Sequence, residues 1–300
     1  MTAFVAVHGV GHYRSALSPA DVVTARSAVW AKDLAIGLGT AAEHVPVTYA
    51  YYAHHLHLGR PVAQGAEDFD QLEREHPHVV EDITHWAELL DDSLSLRLPP
   101  PATAQGRLAV PLRQLASTIS ERLSLDGRLT RAFIATFFRD VARYLGGPDD
   151  AARVAAREEV AGVISSTGAR VVIAHSLGSV VAYEALHAHP ELEIDLLLTL
   201  GSPLALRHGV FDRLSPAPLA GAGERPPGVH RWINLSDHGD IVAVPRPFKR
   251  RFPMVDLDLS ASIAPFDFHR VTPYLRSSVV AAALAPYLVQ DTGIRGSDAN

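Results

Sequence analysis

The sequence predicts an α/β protein whose mostly parallel sheet is covered by helices on both faces. Three observations lead there. Short, fully apolar runs recur along the chain, as buried parallel strands require. Each is followed by a segment with helical spacing of apolar residues. Several of these runs end at glycine-bearing loops, where a strand hands over to a helix. Repeated β–α units of this kind build a parallel sheet with right-handed crossovers.

The elements follow in order. Ala3–Val7 is a short apolar strand ending at His8-Gly9. Ala20–Leu38 carries Val22, Val23, Trp30, Leu34 and Leu38 at helical spacing, and Gly39 stops it. His44–Tyr52 is β-branched and aromatic, a second strand. Residues 59–147 break the alternation with three expected helices, Val79–Leu90, Val110–Leu123 and Leu129–Leu145, punctuated by Pro99-Pro100-Pro101. In the third, Phe133, Phe137, Phe138, Val141 and Leu145 share a face.

The α/β pattern then resumes. Asp150–Ser165 and Leu177–His187 read as helices, Arg170–Ala174 and Ile194–Leu200 as strands. After a Pro/Gly-rich excursion over Pro203–Gly228 come strands at Val229–Ser236 and Met254–Leu259 and a closing helix at Pro273–Leu288. Because the pattern resumes, 59–147 reads as a helical insertion into one core formed by 1–58 and 148–292. The polar tail 293–300 is expected to fray.

Composition removes several chemistries. The 300 residues contain no cysteine, which excludes disulfides, iron–sulfur clusters, Cys-ligated zinc and a thiol nucleophile. Lys32 and Lys249 are the only lysines, so Schiff-base chemistry has few candidates. A net charge of −6 argues against a general nucleic-acid binder. No 18-residue apolar run is present, so no transmembrane helix is expected. Met1–Gly9 shows no basic stretch ahead of a long apolar run, so no signal peptide is expected and the default location is cytoplasmic.

The segment Val171-Val172-Ile173-Ala174-His175-Ser176-Leu177-Gly178-Ser179 carries the most chemistry. It is a strand, a tight turn of small residues and a helix start, the context of a nucleophile elbow. The usual G-x-S-x-G becomes A-x-S-x-G, with Ala174 at the first glycine position. The helix beginning at Leu177 would aim its amides and positive dipole end at Ser176, making the Leu177 N–H one oxyanion donor. The other reading is a buried serine capping an ordinary helix.

Three further segments bear on that choice. His8-Gly9-Val10-Gly11 follows the first strand, and its glycines would let the Val10 N–H approach a substrate as a second donor. A dinucleotide-binding turn is the competing reading, but Arg14 stands where that fingerprint needs a third small residue. Trp232–Val242 places Asp237 and Asp240 just past a strand end, where such a sheet presents its chemistry. Asp240 is favoured as the acid, since it lies deeper in the loop ahead of an apolar run. Asp237 is the alternative acid, or else closes an Asx-turn. His269 precedes the closing helix, whereas His230 falls inside a strand and His238 sits close to the acids.

These motifs resemble the α/β-hydrolase superfamily in its lipase/esterase-like branch. The resemblance rests on the H-G-x-G loop, Ala174–Gly178, the Gly201-Ser202-Pro203-Leu204 turn, the acid loop from Asn234, and the order Ser176, Asp240, His269. It covers Ala3–Tyr52 and Ala151–Leu288. More narrowly, the chain is similar to actinobacterial proteins described as serine peptidases or hydrolases. The resemblance implies an α/β-hydrolase fold starting at the superfamily's third strand, with 59–147 as a cap near the site. It also implies His8, Gly9, Gly11, His175 and Gly178 as supporting residues.

The expected function is hydrolysis of an acyl ester through a Ser176–His269–Asp240 triad and an acyl-enzyme, with no cofactor and no metal. The expected partner is a small, apolar acyl substrate. Acyl transfer, thioester or peptide cleavage on the same triad, and a non-catalytic binding protein on the same fold, are the alternatives. The 16 histidines include clusters at His54, His55, His57 and at His76, His78, His85, but without a zinc-type spacing. Arg246–Arg251 reads as a solvated basic loop, or as a contact for an anionic substrate or headgroup.

Overall fold

The computed structural model describes residues 3–57, 69–95, 98, 103–104, 107–108, 112–147, 149–263 and 269–288. The strands are β1 (Phe4–Val7), β2 (Val47–Ala50), β3 (Thr103–Ala104), β4 (Arg107–Leu108), β5 (Val171–His175), β6 (Leu196–Leu200), β7 (Trp232–Asp237) and β8 (Leu257–Ala261). The helices are α1 (Pro19–Leu38), α2 (Ala53–Leu56), α3 (Phe69–Glu75), α4 (Val79–Leu94), α5 (Leu112–Arg122), α6 (Gly127–Tyr144), α7 (Ala151–Thr167), α8 (Leu177–Ala188), α9 (Val271–Arg276) and α10 (Ser278–Leu288). The triple proline, residues 59–68 of the insertion and the tail 293–300 lie outside the described residues.

Six strands form one sheet in the order β2-β1-β5-β6-β7-β8, every neighbouring pair parallel. The second ladder, β3 with β4, is a short antiparallel pair inside the insertion. The chain leaves β1 toward β2 and returns to the other side of β1 as β5. The strand order therefore reverses between β1 and β5, and a crevice opens there at their carboxyl ends.

Alternation along the strands sorts side chains to two faces. Val5, Val7, Val172 and Ala174 pack with residues of α4, α6, α7 and α8. Phe4, Ala6, Val171 and Ile173 pack with α1, α9 and α10. The insertion is not a separate lobe: Trp86, Ile119, Phe137 and Phe138 belong to the same apolar cluster as the first face of the sheet.

Local signals account for several boundaries. The Ser18 side chain accepts the Asp21 amide ahead of Pro19, and Gly39 closes α1 in the left-handed region. Asp150 caps α7 through the Ala152 and Arg153 amides rather than joining the helix. The expected closing helix is two helices. Ser277 is extended (φ −73°, ψ 146°), and its Oγ accepts the Val280 amide, so it ends α9 and caps α10. The last strand starts at Leu257 instead of Met254, whose carbonyl is held by Arg225. The Val229 end of the expected seventh strand reduces to a single bridge with Ile194, and the ladder begins at Trp232.

A buried carboxylate ties insertion to core. Glu184 of α8 accepts from Tyr144 Oη at 2.7 Å, Arg153 Nε at 2.9 Å and the Ser215 amide at 2.9 Å, and pairs further with Arg153 Nη2. Among the described residues no helix is long and apolar enough to cross a membrane.

Candidate active site

β5 delivers its last residue, His175, to the end of the sheet, and α8 begins two positions later. Ser176 joins them in the left-handed half of the map (φ 55°, ψ −133°). A non-glycine residue held there is strained, and such strain persists only where surrounding structure imposes it. The surroundings are tight. A Cβ on Gly178 would stand 2.2 Å from the His8 carbonyl oxygen, and one on Gly9 would stand 2.6 Å from Ser176 Cβ. Side chains at either position would push the β1 loop off the turn. Ser176 N donates to the Leu200 carbonyl (3.0 Å), and Ser179 Oγ donates to the Ser176 carbonyl (2.6 Å).

Ser176, His269 and Asp240 lie in one hydrogen-bonded line. The Ser176 hydroxyl donates to His269 Nε2 at 2.7 Å. His269 Nδ1 faces both Asp240 oxygens at 2.8 and 2.9 Å. A carboxylate only accepts, so Nδ1 carries the proton and Nε2 turns its lone pair to the serine. Asp240 is fully buried and well provided with donors: the Val242 amide at 2.8 Å, the Ala243 amide at 3.2 Å and Tyr274 Oη at 2.7 Å. Burial alone would raise its carboxyl. The adjacent His269 and the hydrogen bonds from His269, Tyr274 and Val242 outweigh it and hold the group below the usual aspartate range.

Asp237 does not reach His269. Its Oδ1 accepts the Gly239 amide at 2.9 Å, an Asx-turn, and its Oδ2 accepts the Ile263 amide at 3.2 Å. His230 and His238 are exposed, His230 beside Glu193 and His238 beside Ser262.

The β1 loop closes the other side of the serine. His8 is fully buried, stacks on the Tyr52 ring at 4.1 Å, and has Nδ1 at 2.7 Å from the Gly9 carbonyl and Nε2 at 3.3 Å from the Tyr52 amide. Those partners require the neutral ring with its proton on Nδ1. Burial pushes the imidazole down to about 3. The Gly11 amide donates to Asp140 of α6 at 2.9 Å, anchoring the loop to the insertion. Among the described residues no acceptor takes the Val10 or the Leu177 amide. His175 stacks on His269 at 4.8 Å, and burial, with His269 beside it, keeps it neutral well below its ordinary range.

A cavity of about 1120 Å³ opens against Ser176 and His269. Val10 lines it, as do Leu129 and Phe133 of the insertion, and the Phe133 ring lies 5.2 Å from the His269 ring.

Two contributors carried no signal in the sequence. Tyr274 braces the acid loop, since its Oη bridges the Asp237 amide (2.7 Å) and Asp240. Arg246, expected in a solvated basic run, instead donates to the carbonyls of Asp237, His238 and Asp240. Elsewhere, His54, His55 and Glu159 bring three potential metal-ligand atoms within 4.8 Å of one another, and none of the three lines the Ser176 cavity.

No family model, curated protein or solved structure matches this chain.

Proposed function

We propose that this protein is a serine hydrolase of the α/β-hydrolase fold that cleaves acyl esters. The observation that carries the reading is the line Ser176–His269–Asp240 beginning on a strained serine between β5 and α8. The sheet order supports the fold assignment, because β2-β1-β5-β6-β7-β8 is the superfamily's sheet beginning at its third strand.

In this reading Ser176 Oγ attacks the acyl carbon as His269 Nε2 takes its proton. His269 then gives that proton to the departing alcohol oxygen, leaving an ester on Ser176. Water attacks the acyl carbon with its proton going to His269, and the Ser176 oxygen leaves and recovers that proton. Asp240 fixes the imidazole tautomer and faces the imidazolium. The Val10 and Leu177 amides receive the charge that develops on the carbonyl oxygen.

A fluorophosphonate probe tests the reading. Wild-type protein is expected to be labelled at Ser176 and to hydrolyse short p-nitrophenyl esters, and Ser176→Ala to lose both. Labelling that persists in Ser176→Ala, or its absence from folded wild type, overturns it.

A further inference from the structure

The cavity beside Ser176 has two chemically different walls. One is apolar, formed by Leu123, Leu125, Leu129 and Phe133. The other carries Arg14, Arg26 and Arg270. Asp126 is the one carboxylate among the described lining residues, and it is committed to capping α6 through the Leu129 amide at 2.8 Å.

Arg14 and Arg26 differ from the arginines that close ion pairs. Arg153, Arg170, Arg213, Arg225 and Arg276 all hold carboxylates. Arg14 and Arg26 are half-buried, and neither pairs with a carboxylate among the described residues. Arg14 Nη1 is tied to the Gly11 and Tyr13 carbonyls at 3.0 and 2.8 Å, which fixes its guanidinium beside the β1 loop with its remaining donors unspent. The Arg26 guanidinium makes no hydrogen bond among the described residues. It lies close enough to His8 and His12 to act on both electrostatically.

Neither His8 nor His12 offers a counter-charge, since an imidazole is either neutral or cationic. The chain has more acidic than basic residues, yet among the described residues these two guanidinium groups line one recess without a carboxylate partner. A guanidinium without a carboxylate partner keeps its charge available to a ligand, and its planar fork matches a carboxylate or phosphate.

We propose that the Ser176 cavity binds an amphiphile, with its chain against the leucine–phenylalanine wall and an anionic group, carboxylate or phosphate, seated by Arg14 and Arg26. The substrate would then be an ester that also carries such a group. That last step rests on the hydrolase reading; the anion site itself does not.

Calorimetric titration of octyl phosphate, octanoate and octanol into the full chain tests the site. Both anions, or one of them, are expected to bind at least about tenfold more tightly than octanol, the return for a charge-assisted pair in a half-buried recess. Whichever anion binds tighter identifies the group. In Arg14→Gln/Arg26→Gln, with folding checked by circular dichroism, the preference is expected to fall to about twofold or less.

Salt gives a check on wild type alone: raising NaCl should weaken the preferred anion and leave octanol unchanged. Equal affinity for octanol and both anions, a preference that survives the double substitution, or identical salt responses overturns the proposal. Absence of Ser176 labelling strikes the hydrolase reading and leaves this affinity ratio standing. Loss of the ratio with labelling intact strikes the anion site alone.

Discussion

Asp240 and Asp237 lie three residues apart, and their surroundings give them different work. Asp240 faces His269 Nδ1 and Tyr274, whereas Asp237 spends its oxygens on loop amides. Asp240→Asn is expected to lower kcat for ester hydrolysis by about 10³–10⁴, because an amide can hold His269 in the wrong tautomer. Asp237→Asn should cost less than about tenfold. Steady-state rates on one ester compare the two. His8 permits a second prediction. Its folded-state pKa near 3 lies below the 6.5 of a free imidazole, so the unfolded chain takes up the proton first. Its contribution is complete above pH 6.5 and is lost as pH falls toward 3. Between about pH 6 and pH 4 that loss amounts to about 2–3 kcal/mol. Urea unfolding at the two pH values should show a decline smaller by that amount in His8→Gln.

At the scale of elements, α8 joins the site to the interior. Its first residues press on the β1 loop, and its middle buries Glu184 among Arg153, Tyr144 and the Ser215 amide. Removing one charge from a buried pair leaves the other uncompensated. Glu184→Gln is therefore expected to destabilise the protein by about 3–5 kcal/mol, read from denaturant midpoints. Two hydrogen bonds tie the insertion helices to the loops that carry Asp240 and Gly11. Trp86 Nε1 of α4 donates to the Ile241 carbonyl at 2.7 Å, beside Asp240, and Asp140 of α6 accepts the Gly11 amide. The helix existence of this region was legible from periodicity, including the Phe133–Leu145 face. The short α3 was not, since Phe69–Glu75 offers too few turns for a period to register.

For the whole molecule, one apolar cluster runs from the sheet into α4, α5 and α6, so insertion and core are expected to unfold together. Trp30 sits on α1, Trp86 on the insertion and Trp232 on β7. Variants retaining one tryptophan each should give coincident urea transitions; an earlier midpoint for Trp86 would mark an independently unfolding insertion. The sequence by itself determined the alternation of strands and helices, the turn chemistry around Ser176 and the absence of thiol chemistry. These are local properties, written in periodicity, small residues and composition. Which acid meets His269, that Tyr274 and Arg246 brace the acid loop, and that Arg14 and Arg26 share a recess with Ser176 were decided only by tertiary structure. Arg246 is local to the acid loop, and its direction depends on how that loop folds back. The others join chain segments brought together when β1, β5 and β7 align their carboxyl ends, and a single sequence carries no distance between residues so far apart along it.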